Sequence, residues 1–254
     1  MTSVREIYEY LQELAPLELQ MDFDNSGFLV GRRDAAVKRA LLALDITHDV
    51  ITESVEKGAQ LIVSHHPIIF HKLRTVSDDA ASEKVLRLAE NRIAAICMHT
   101  NLDIAQGGVN DVLLQTLGAS YEGPLDPDGC GRVGTLEQAL PLCEFLDRCR
   151  ETLHTNGLRY VDAGKPVHRL AVMGGAGGGS LSAAVEKGCD TYVTADLSYH
   201  VFLDALDYGI NLIDADHFCT ENPVIPVLRD RLARRFPETE FCISDRHHAL
   251  ISFY

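Results

Sequence analysis

The chain has 254 residues, of which 46% are hydrophobic, and it carries a formal net charge of -14 at pH 7. This length allows one large domain or two smaller ones, each with its own core. The negative charge repels phosphates and therefore argues against nucleic acid and anionic membrane surfaces as partners. Because no segment reaches the roughly 18 apolar residues of a membrane span, we expect a soluble, cytoplasmic protein.

The first half of the chain predicts one amphipathic helix and then alternating strands and helices. Ser3 and Glu6 form a capping-box pattern at the start of the helix, and a glycine-containing loop with a short strand follows at 24–31 (DNSGFLVG). The further elements predicted in this half are strand 38–46, helix 48–57, strand 60–65, a helix at about 77–91, strand 93–99 and helix 108–117. Apolar strands separated by helices are typical of an α/β layer with largely parallel strands.

A stretch rich in Gly, Pro and Asp at about 122–134 predicts a domain boundary. We place the domains at 1–124 and 125–254 and leave open whether the C-terminal part packs back on the first domain. The elements predicted after the boundary are strand 132–138, helix 141–153, strand 158–162, strand 168–173, helix 180–187, strand 190–194, helix 198–207, strand 210–214, a helix at about 221–235 and strand 240–243. The fold class is therefore two α/β domains, with a binding site expected in the cleft between them.

Polar side chains follow two predicted strands of the first half. The segment QLIVSHH ends in His65 and His66, and ICMHTNLD contains His99 and Asp103. Ligands of open α/β sheets bind beyond the carboxyl ends of the strands. A single histidine at such a position is more often structural than a ligand, but Pro67 favours an end of the strand at which neighbouring imidazoles can turn apart.

The second half repeats this arrangement in the segment LIDADHFCTE. His217 and Glu221 are four residues apart, the spacing that places two side chains on one side of a helical turn. Pro223 disfavours helical geometry in the residue before it, so a turn that becomes a regular helix only at the proline fits equally well. Cys219 stands between the two candidate ligands. It is one of seven cysteines, an odd set without a CxxC pair, which argues against a disulfide framework and a thiolate zinc ribbon.

Three of these histidines and two of the carboxylates form a mixed nitrogen and oxygen ligand set. The set consists of His65, His66, Asp103, His217 and Glu221. It suits zinc, manganese, iron or cobalt. Five ligands exceed the needs of one catalytic ion, so we predict two divalent ions about 3.5–4 Å apart.

Segments along nearly the whole chain resemble one known family. They are DNSGFLVG, LALDIT, LIVSHHPIIF, HTNLDIAQGGVND, TADLSYH and IDADHFCTE. In this order they resemble the NGG-interacting-factor-three-like dinuclear metal family, whose bacterial members are commonly labelled GTP cyclohydrolase I type 2 homologues. The resemblance implies two α/β domains with a dimetal site between them, a toroidal homohexamer and the five ligands above. Ala195 and the DADHF segment depart from the family, which usually has glycine before Asp196 and a glycine–histidine–aromatic turn around His217.

Other polar residues are candidates for catalytic or orienting roles. His99 and Asp45 end neighbouring strands and could orient ligand imidazoles, although a core histidine and a strand-end cap are as compatible with the pattern. The family resemblance places Asp196 and His200 near the cavity, where His200 could act as a general acid or base. A structural histidine is the equal alternative. The catalytic candidates are thus His99, His200 and Asp196.

Two further motifs have less specific interpretations. The run GGAGGG at 174–179 could bind phosphate through backbone N–H groups, but the pattern G-x-G-x-x-G fails at Ser180 and a flexible turn is favoured. The pair His247 and His248 indicates an edge strand or a surface tail.

The hypothesis with most support is a metal-dependent hydrolase with two divalent ions per chain (zinc, iron or manganese). Its substrate would be a phosphorylated or nucleotide-like small molecule. A non-catalytic metal-binding assembly or regulatory protein is the alternative. A nicotinamide oxidoreductase using GGAGGG ranks last.

Overall fold

A computed structural model describes residues 1–80 and 82–252. The helices of this part of the chain are α1 Val4–Leu14, α2 His48–Glu56, α3 Glu83–Glu90, α4 Thr100–Ile104, α5 Val109–Thr116, α6 Leu142–Leu153, α7 Leu181–Glu186, α8 Tyr199–Tyr208, α9 His217–Glu221 and α10 Val224–Arg235. The strands are β1 Gly27–Val30, β2 Arg39–Ala43, β3 Leu61–Ser64, β4 Ala94–Cys97, β5 Ala119–Pro124, β6 Arg132–Leu140, β7 Arg159–Val161, β8 Val167–Val172, β9 Thr191–Thr194, β10 Asn211–Asp214 and β11 Glu240–Ile243. Short 3-10 turns occur at Leu17–Leu19 and Gly178–Ser180. Within the described ranges, the helices are too short or too polar to cross a bilayer.

The chain divides into two compact units. Unit 1 comprises Met1–Gln106 and Ile225–His248, and unit 2 comprises Gly107–Val224 with the described residues from Ala249 onwards. This division lies upstream of the boundary that we placed at 124/125. The reason is that β5 pairs with β6 across the Gly- and Pro-rich stretch, which therefore connects two strands of one sheet. Phe253 and Tyr254 of the predicted second domain lie outside the described residues.

Unit 1 is built on a five-stranded sheet in the order β1-β4-β3-β2-β11. Strands β4, β3, β2 and β11 are parallel, and β1 is antiparallel at the edge. Every residue of β3 and β4 is buried, as expected for parallel strands covered on both faces. Since β11 pairs with β2, the segment Ile225–His248 belongs to this unit, an arrangement that the sequence left open. The capping box of α1 is confirmed, because the Ser3 side chain accepts from the Glu6 amide and the Glu6 side chain from the Ser3 amide.

Unit 2 is built on a six-stranded sheet in the order β5-β6-β8-β9-β10-β7. Strands β8, β9 and β10 are parallel, whereas β5, β6 and β7 pair in antiparallel fashion. Both units therefore combine a sheet with helices, which confirms the α/β class. Strand β5 was not predicted, because its central residues are exposed and its end contains Gly123 and Pro124, which are typical of turns.

The helix predicted at about 77–91 is shorter than expected and begins at Glu83. Before it, the Ser77 hydroxyl donates to the Asp79 carboxylate at 2.6 Å, and the Ser82 amide donates to the same carboxylate at 3.0 Å. Ser and Asp side chains that bond to nearby backbone groups compete with helical hydrogen bonds. Ala81, within the predicted helix, is not among the described residues.

Candidate metal-binding site

The histidines of unit 1 lie together because two parallel strands end side by side. Ser64, the last residue of β3, pairs with Cys97, the last residue of β4. The residues that follow therefore emerge at the same edge of the sheet. One ring nitrogen from each of His65, His66 and His99 lies within 4.8 Å of the others. This geometry agrees with the prediction that the side chains meet at the strand ends. His99 lies within the same cluster, although we predicted for it only an orienting or catalytic role.

Hydrogen bonds orient the imidazoles of His65 and His66. The buried His65 has its Nδ1 atom 2.8 Å from the Met98 carbonyl oxygen, and His66 has its Nδ1 atom 2.7 Å from Oδ1 of Asp45. A neutral imidazole that donates from Nδ1 keeps the lone pair on Nε2, which is how proteins commonly orient histidine ligands of metals. Asp45 therefore orients the His66 imidazole, which is one of the two roles that the sequence left open for it.

His99 is oriented in the same way by a buried carboxylate. Its Nδ1 atom lies 2.7 Å from Oδ1 of Asp24, whose side chain is fully buried. Burial raises the pKa of Asp24, but hydrogen bonds from His99, from the Thr100 hydroxyl and from Ser26 outweigh this effect and hold the pKa well below its usual range. Asp24 is therefore an ionised carboxylate fixed behind the histidine cluster. The sequence analysis did not single it out, although it begins the DNSG segment.

The short helix α4 carries the carboxylate of this cluster. It begins directly after His99, whose carbonyl oxygen accepts hydrogen bonds from the amides of Leu102 and Asp103. This turn places Oδ1 of Asp103 3.6 Å from Nε2 of His65. The helix was not predicted, because five residues give no clear hydrophobic period. Asp103 nevertheless lies beside the histidine with which we grouped it.

In unit 2, the helix α9 brings His217 and Glu221 together. Nε2 of His217 lies 3.2 Å from Oε2 of the buried Glu221. Asp216 caps the helix, since its Oδ1 atom accepts from the Cys219 amide at 3.1 Å. Oδ2 of Asp196 lies 2.7 Å from Nδ1 of His217, so Asp196 orients the His217 imidazole. Of the two geometries that the sequence allowed, the structure has the helical one.

Two aspartates beside His217 have backbone conformations that favour glycine. The φ angle is 53° at Asp196 and 70° at Asp216. Such conformations cost about 1–3 kcal/mol and occur mainly at functional sites. Asp216 stands where the glycine of the family's glycine–histidine–aromatic turn was expected, so this chain keeps the glycine-like backbone with a different residue.

The glycine run at 174–179 packs against the ligand pair of unit 2. Gly175 has a φ of +65°, and a Cβ atom added there would overlap Oε1 of Glu221 and lie 3.0 Å from Nε2 of His217. A Cβ at Gly174 would lie 3.1 Å from Cγ of Glu221. Glycine is therefore required for the close approach of this loop to His217 and Glu221.

The amides of the same run donate to protein oxygens. The Gly174 amide donates to Oδ1 of Asn110 at 2.9 Å. The Gly175 amide donates to Oγ1 of Thr220 at 3.0 Å, and the Thr194 hydroxyl donates to the Gly175 carbonyl oxygen at 3.0 Å. These bonds describe an ordered loop rather than the flexible turn that we favoured, and they occupy amides that a phosphate would need.

Three other residues have environments that bear on the predictions. His200 is exposed on α8, and the groups of potential metal ligands in the described chain do not include it, so its catalytic role stays a prediction. Cys219 lies in the core of unit 2, where burial raises the pKa of its thiol to about 12. His247 is not part of a surface tail, because its Nε2 atom accepts from the Leu44 amide at 2.7 Å; burial lowers its pKa to about 4.

The fold and these side chains define an α/β protein of two units, with histidine and carboxylate groups at strand ends that could hold metal ions. The family model Duf34/NIF3 (NGG1p interacting factor 3) matches residues 2–249, and the chain belongs to this family. This confirms the resemblance found in the sequence.

Similar proteins support the assignment along the whole chain. A Clostridium acetobutylicum protein named GTP cyclohydrolase 1 type 2 homolog is 37% identical over 238 residues, which cover 90% of this chain and 89% of the relative. The crystal structure of Staphylococcus aureus protein SA1388 superimposes with a TM-score of 0.91 at 25% identity and covers 100% of this chain and 99% of that one. Reduced HcgD from Methanocaldococcus jannaschii has a TM-score of 0.86 at 30% identity, with 96% and 98% covered.

Proposed function

We propose that the protein is a metal-dependent hydrolase that binds two divalent ions per chain and acts on a phosphorylated or nucleotide-like small molecule. One observation carries this proposal. His65, His66, His99 and His217 each have Nδ1 at 2.7–2.8 Å from an oxygen acceptor, which orients each ring so that Nε2 is the nitrogen that would coordinate a metal ion.

Two distances between candidate ligand atoms are of the size expected in a metal site. Two atoms that bind one ion at about 2.0–2.2 Å with a tetrahedral angle are about 3.3–3.6 Å apart. Nε2 of His65 and Oδ1 of Asp103 are 3.6 Å apart, and Nε2 of His217 and Oε2 of Glu221 are 3.2 Å apart. The donor set of imidazole nitrogen and carboxylate oxygen accepts zinc, iron or manganese.

The residues of the chain have separate tasks in this proposal. When bound, divalent ions activate water and polarise a phosphoryl oxygen. Asp24, Asp45 and Asp196 hold the imidazole rings in place, which keeps their Nε2 atoms directed at the ion. The glycine loop covers the pair of ligands in unit 2 without adding a side chain. Bound cations would also offset the negative charge of the chain near an anionic substrate.

The names of similar proteins support the nucleotide-like substrate class. The Clostridium acetobutylicum relative is named as a homolog of a GTP cyclohydrolase. We extend this class to the present chain only as part of the proposal. We also propose the homohexamer that the family resemblance implies, for which light scattering should give a mass six times that of the chain.

A non-catalytic metal-binding assembly or regulatory protein is the second candidate. It is compatible with the structure because the oriented histidines and carboxylates could bind ions without a general acid or base, and His200, the residue we had considered for that role, is exposed and is not in the groups of potential metal ligands of the described residues. In this second function the same side chains would bind the ions, and the protein would not catalyse a reaction.

Metal analysis combined with a substrate panel tests both functions. Protein purified without added metal should contain about two transition-metal ions per chain, and His66→Ala should contain fewer. The exposed His168 supplies a matched control, since His168→Ala should keep the metal content of the wild type. Hydrolysis of phosphoesters and nucleotides should be lost in His65→Ala and retained in the control. Turnover unaffected by His65→Ala would contradict the hydrolase, and full metal content without turnover would support the second candidate.

A further inference from the structure

Two phenylalanines of unit 1 are exposed next to the histidine cluster. Phe23 is 63% exposed and Phe70 is 41% exposed. Their ring centroids are 6.4 Å apart with an interplanar angle of 59°, so the rings form an open corner. Large aromatic side chains bury most of their area in typical folds, and an exposed aromatic pair beside polar groups is characteristic of binding surfaces.

The segments that build the histidine cluster also position both rings. Phe70 follows the His65-His66 segment by four residues, and its ring lies edge-on to His99 at a centroid distance of 6.1 Å. Phe23 directly precedes Asp24, the carboxylate that orients His99. The two segments are joined by a hydrogen bond from the Asn25 amide side chain to the Ile69 carbonyl oxygen. The aromatic pair is therefore continuous with the candidate metal site.

The chemistry of this surface suits a flat aromatic ring that carries an anionic group. Aromatic side chains stack on the π-face of any base and tolerate differences in base identity. The net charge of -14 argues against a nucleic acid polymer as the occupant. A small ligand carries far fewer negative charges than a nucleic acid, so the protein repels it less. Cations bound at the histidine cluster would attract its one anionic group.

We propose that Phe23 and Phe70 form a stacking surface for the heteroaromatic ring of a small anionic substrate whose anionic group lies toward the histidine cluster. This inference rests on the proposed function and deepens it, since it narrows the substrate from phosphorylated small molecules in general to those with a planar ring.

Two ligands that differ only in the ring test this proposal. Calorimetry on the metal-loaded protein compares guanosine 5′-monophosphate with ribose 5-phosphate, which has the same phosphate and sugar without the base. Stacking on an aromatic side chain typically gives an affinity gain of about tenfold or more per base. We expect the nucleotide to bind at least about tenfold more tightly, and Phe70→Ala and Phe23→Ala to lose this advantage while ribose 5-phosphate binding stays the same.

Controls separate stacking from other effects. Phe70→Tyr keeps the ring and should keep the preference for the nucleotide. Tyr208→Ala removes an aromatic side chain that is 55% exposed in unit 2 and should leave both affinities unchanged. If the Phe variants lose affinity for both ligands equally, the pair has a structural role and the proposal is overturned. If they form a smaller assembly by light scattering while the ratio of the two affinities is unchanged, the pair serves self-association, which also overturns the proposal.

The same samples distinguish this inference from the metal proposal. Metal content is measured on each variant, and the ratio of the two affinities is determined with and without a chelator. A preference for the nucleotide in protein that takes up no metal when metal is offered would refute the metal site and leave the stacking surface. Absence of any preference in the wild type, including failure to bind either ligand, would overturn the stacking surface whatever the metal content.

Discussion

Replacing Glu53 by glutamine should destabilise unit 1 in a manner that depends on pH. Glu53 is buried on α2, where its carboxylate accepts hydrogen bonds from the Ser244 hydroxyl and from the amides of Asp245 and Arg246, and it pairs with Lys57 at 2.6 Å. Burial raises its pKa, but these partners outweigh burial and lower the pKa from 4.5 to about 2. The carboxylate therefore fastens the segment after β11 to α2.

The size of the effect follows from this pKa. Because the pKa is lower in the folded state, ionised Glu53 contributes stability that is complete above pH 4.5 and is lost as the pH falls toward 2. The shift corresponds to about 3 kcal/mol at pH 7, of which about 1.4 kcal/mol remains at pH 3. The free energy of unfolding of Glu53→Gln should therefore be lower than that of the wild type by about 2–3 kcal/mol at pH 7, and the difference should shrink by about half at pH 3.

Urea unfolding followed by circular dichroism at several pH values between 3 and 7 measures this difference. Glu56 provides the control on the same helix, because its ion pair with Arg246 involves a side chain that is 54% exposed. Glu56→Gln should change stability by less than about 1 kcal/mol at any pH. A Glu53→Gln difference that is constant between pH 3 and 7 would refute the assignment of this stability to an ionised, buried carboxylate.

Three further predictions concern residues near the candidate ligands. Gly175→Ala should weaken metal binding by about 10–100-fold in a metal titration, because the new Cβ would displace Glu221, whereas Gly179→Ala, with open space around it, should bind metal normally. Equal affinities in both variants would contradict the close-approach argument. His247 should titrate near pH 4 in an NMR titration, and a pKa near 6.5 would show that its ring is not buried against the Leu44 amide. Asp216→Gly should change stability by less than about 1 kcal/mol in thermal unfolding, because relief of the positive φ offsets the lost cap; a loss above about 2 kcal/mol would mean that the cap dominates.

The histidine cluster of unit 1 was predictable because it depends on a simple property of parallel strands. The apolar runs of β3 and β4 identified neighbouring buried strands, and their register brings Ser64 opposite Cys97. Side chains just beyond these residues must then lie at one edge of the sheet. This explains why His65, His66 and His99 could be grouped before the structure was known.

Features that depend on distant partners could not be predicted in the same way. The helix α4 has five residues, too few for a period to be recognised, and its hydrogen bonds with His99 at the strand end decide its conformation. The role of Gly175 requires knowledge of the space around its Cα atom. The acceptor role of His247 involves an amide 203 residues away in sequence. In each case the deciding contact is tertiary.

The kinds of acceptor behind the histidines follow from the cost of burying charge. The fully buried His65 is oriented by a neutral partner, the Met98 carbonyl oxygen. A carboxylate at that position would require a buried negative charge with compensating donors. Asp24 behind His99 is such a charge, and there the Thr100 and Ser26 hydroxyls supply the additional hydrogen bonds. A carboxylate partner makes an imidazole a stronger metal ligand. His99 should therefore bind metal, although the expected ligand set does not include it. In a metal titration, His99→Ala should bind metal more weakly than the wild type, whereas the conservative control Thr100→Ser should bind it as the wild type does. Equal affinities of His99→Ala and the wild type would contradict this role of His99.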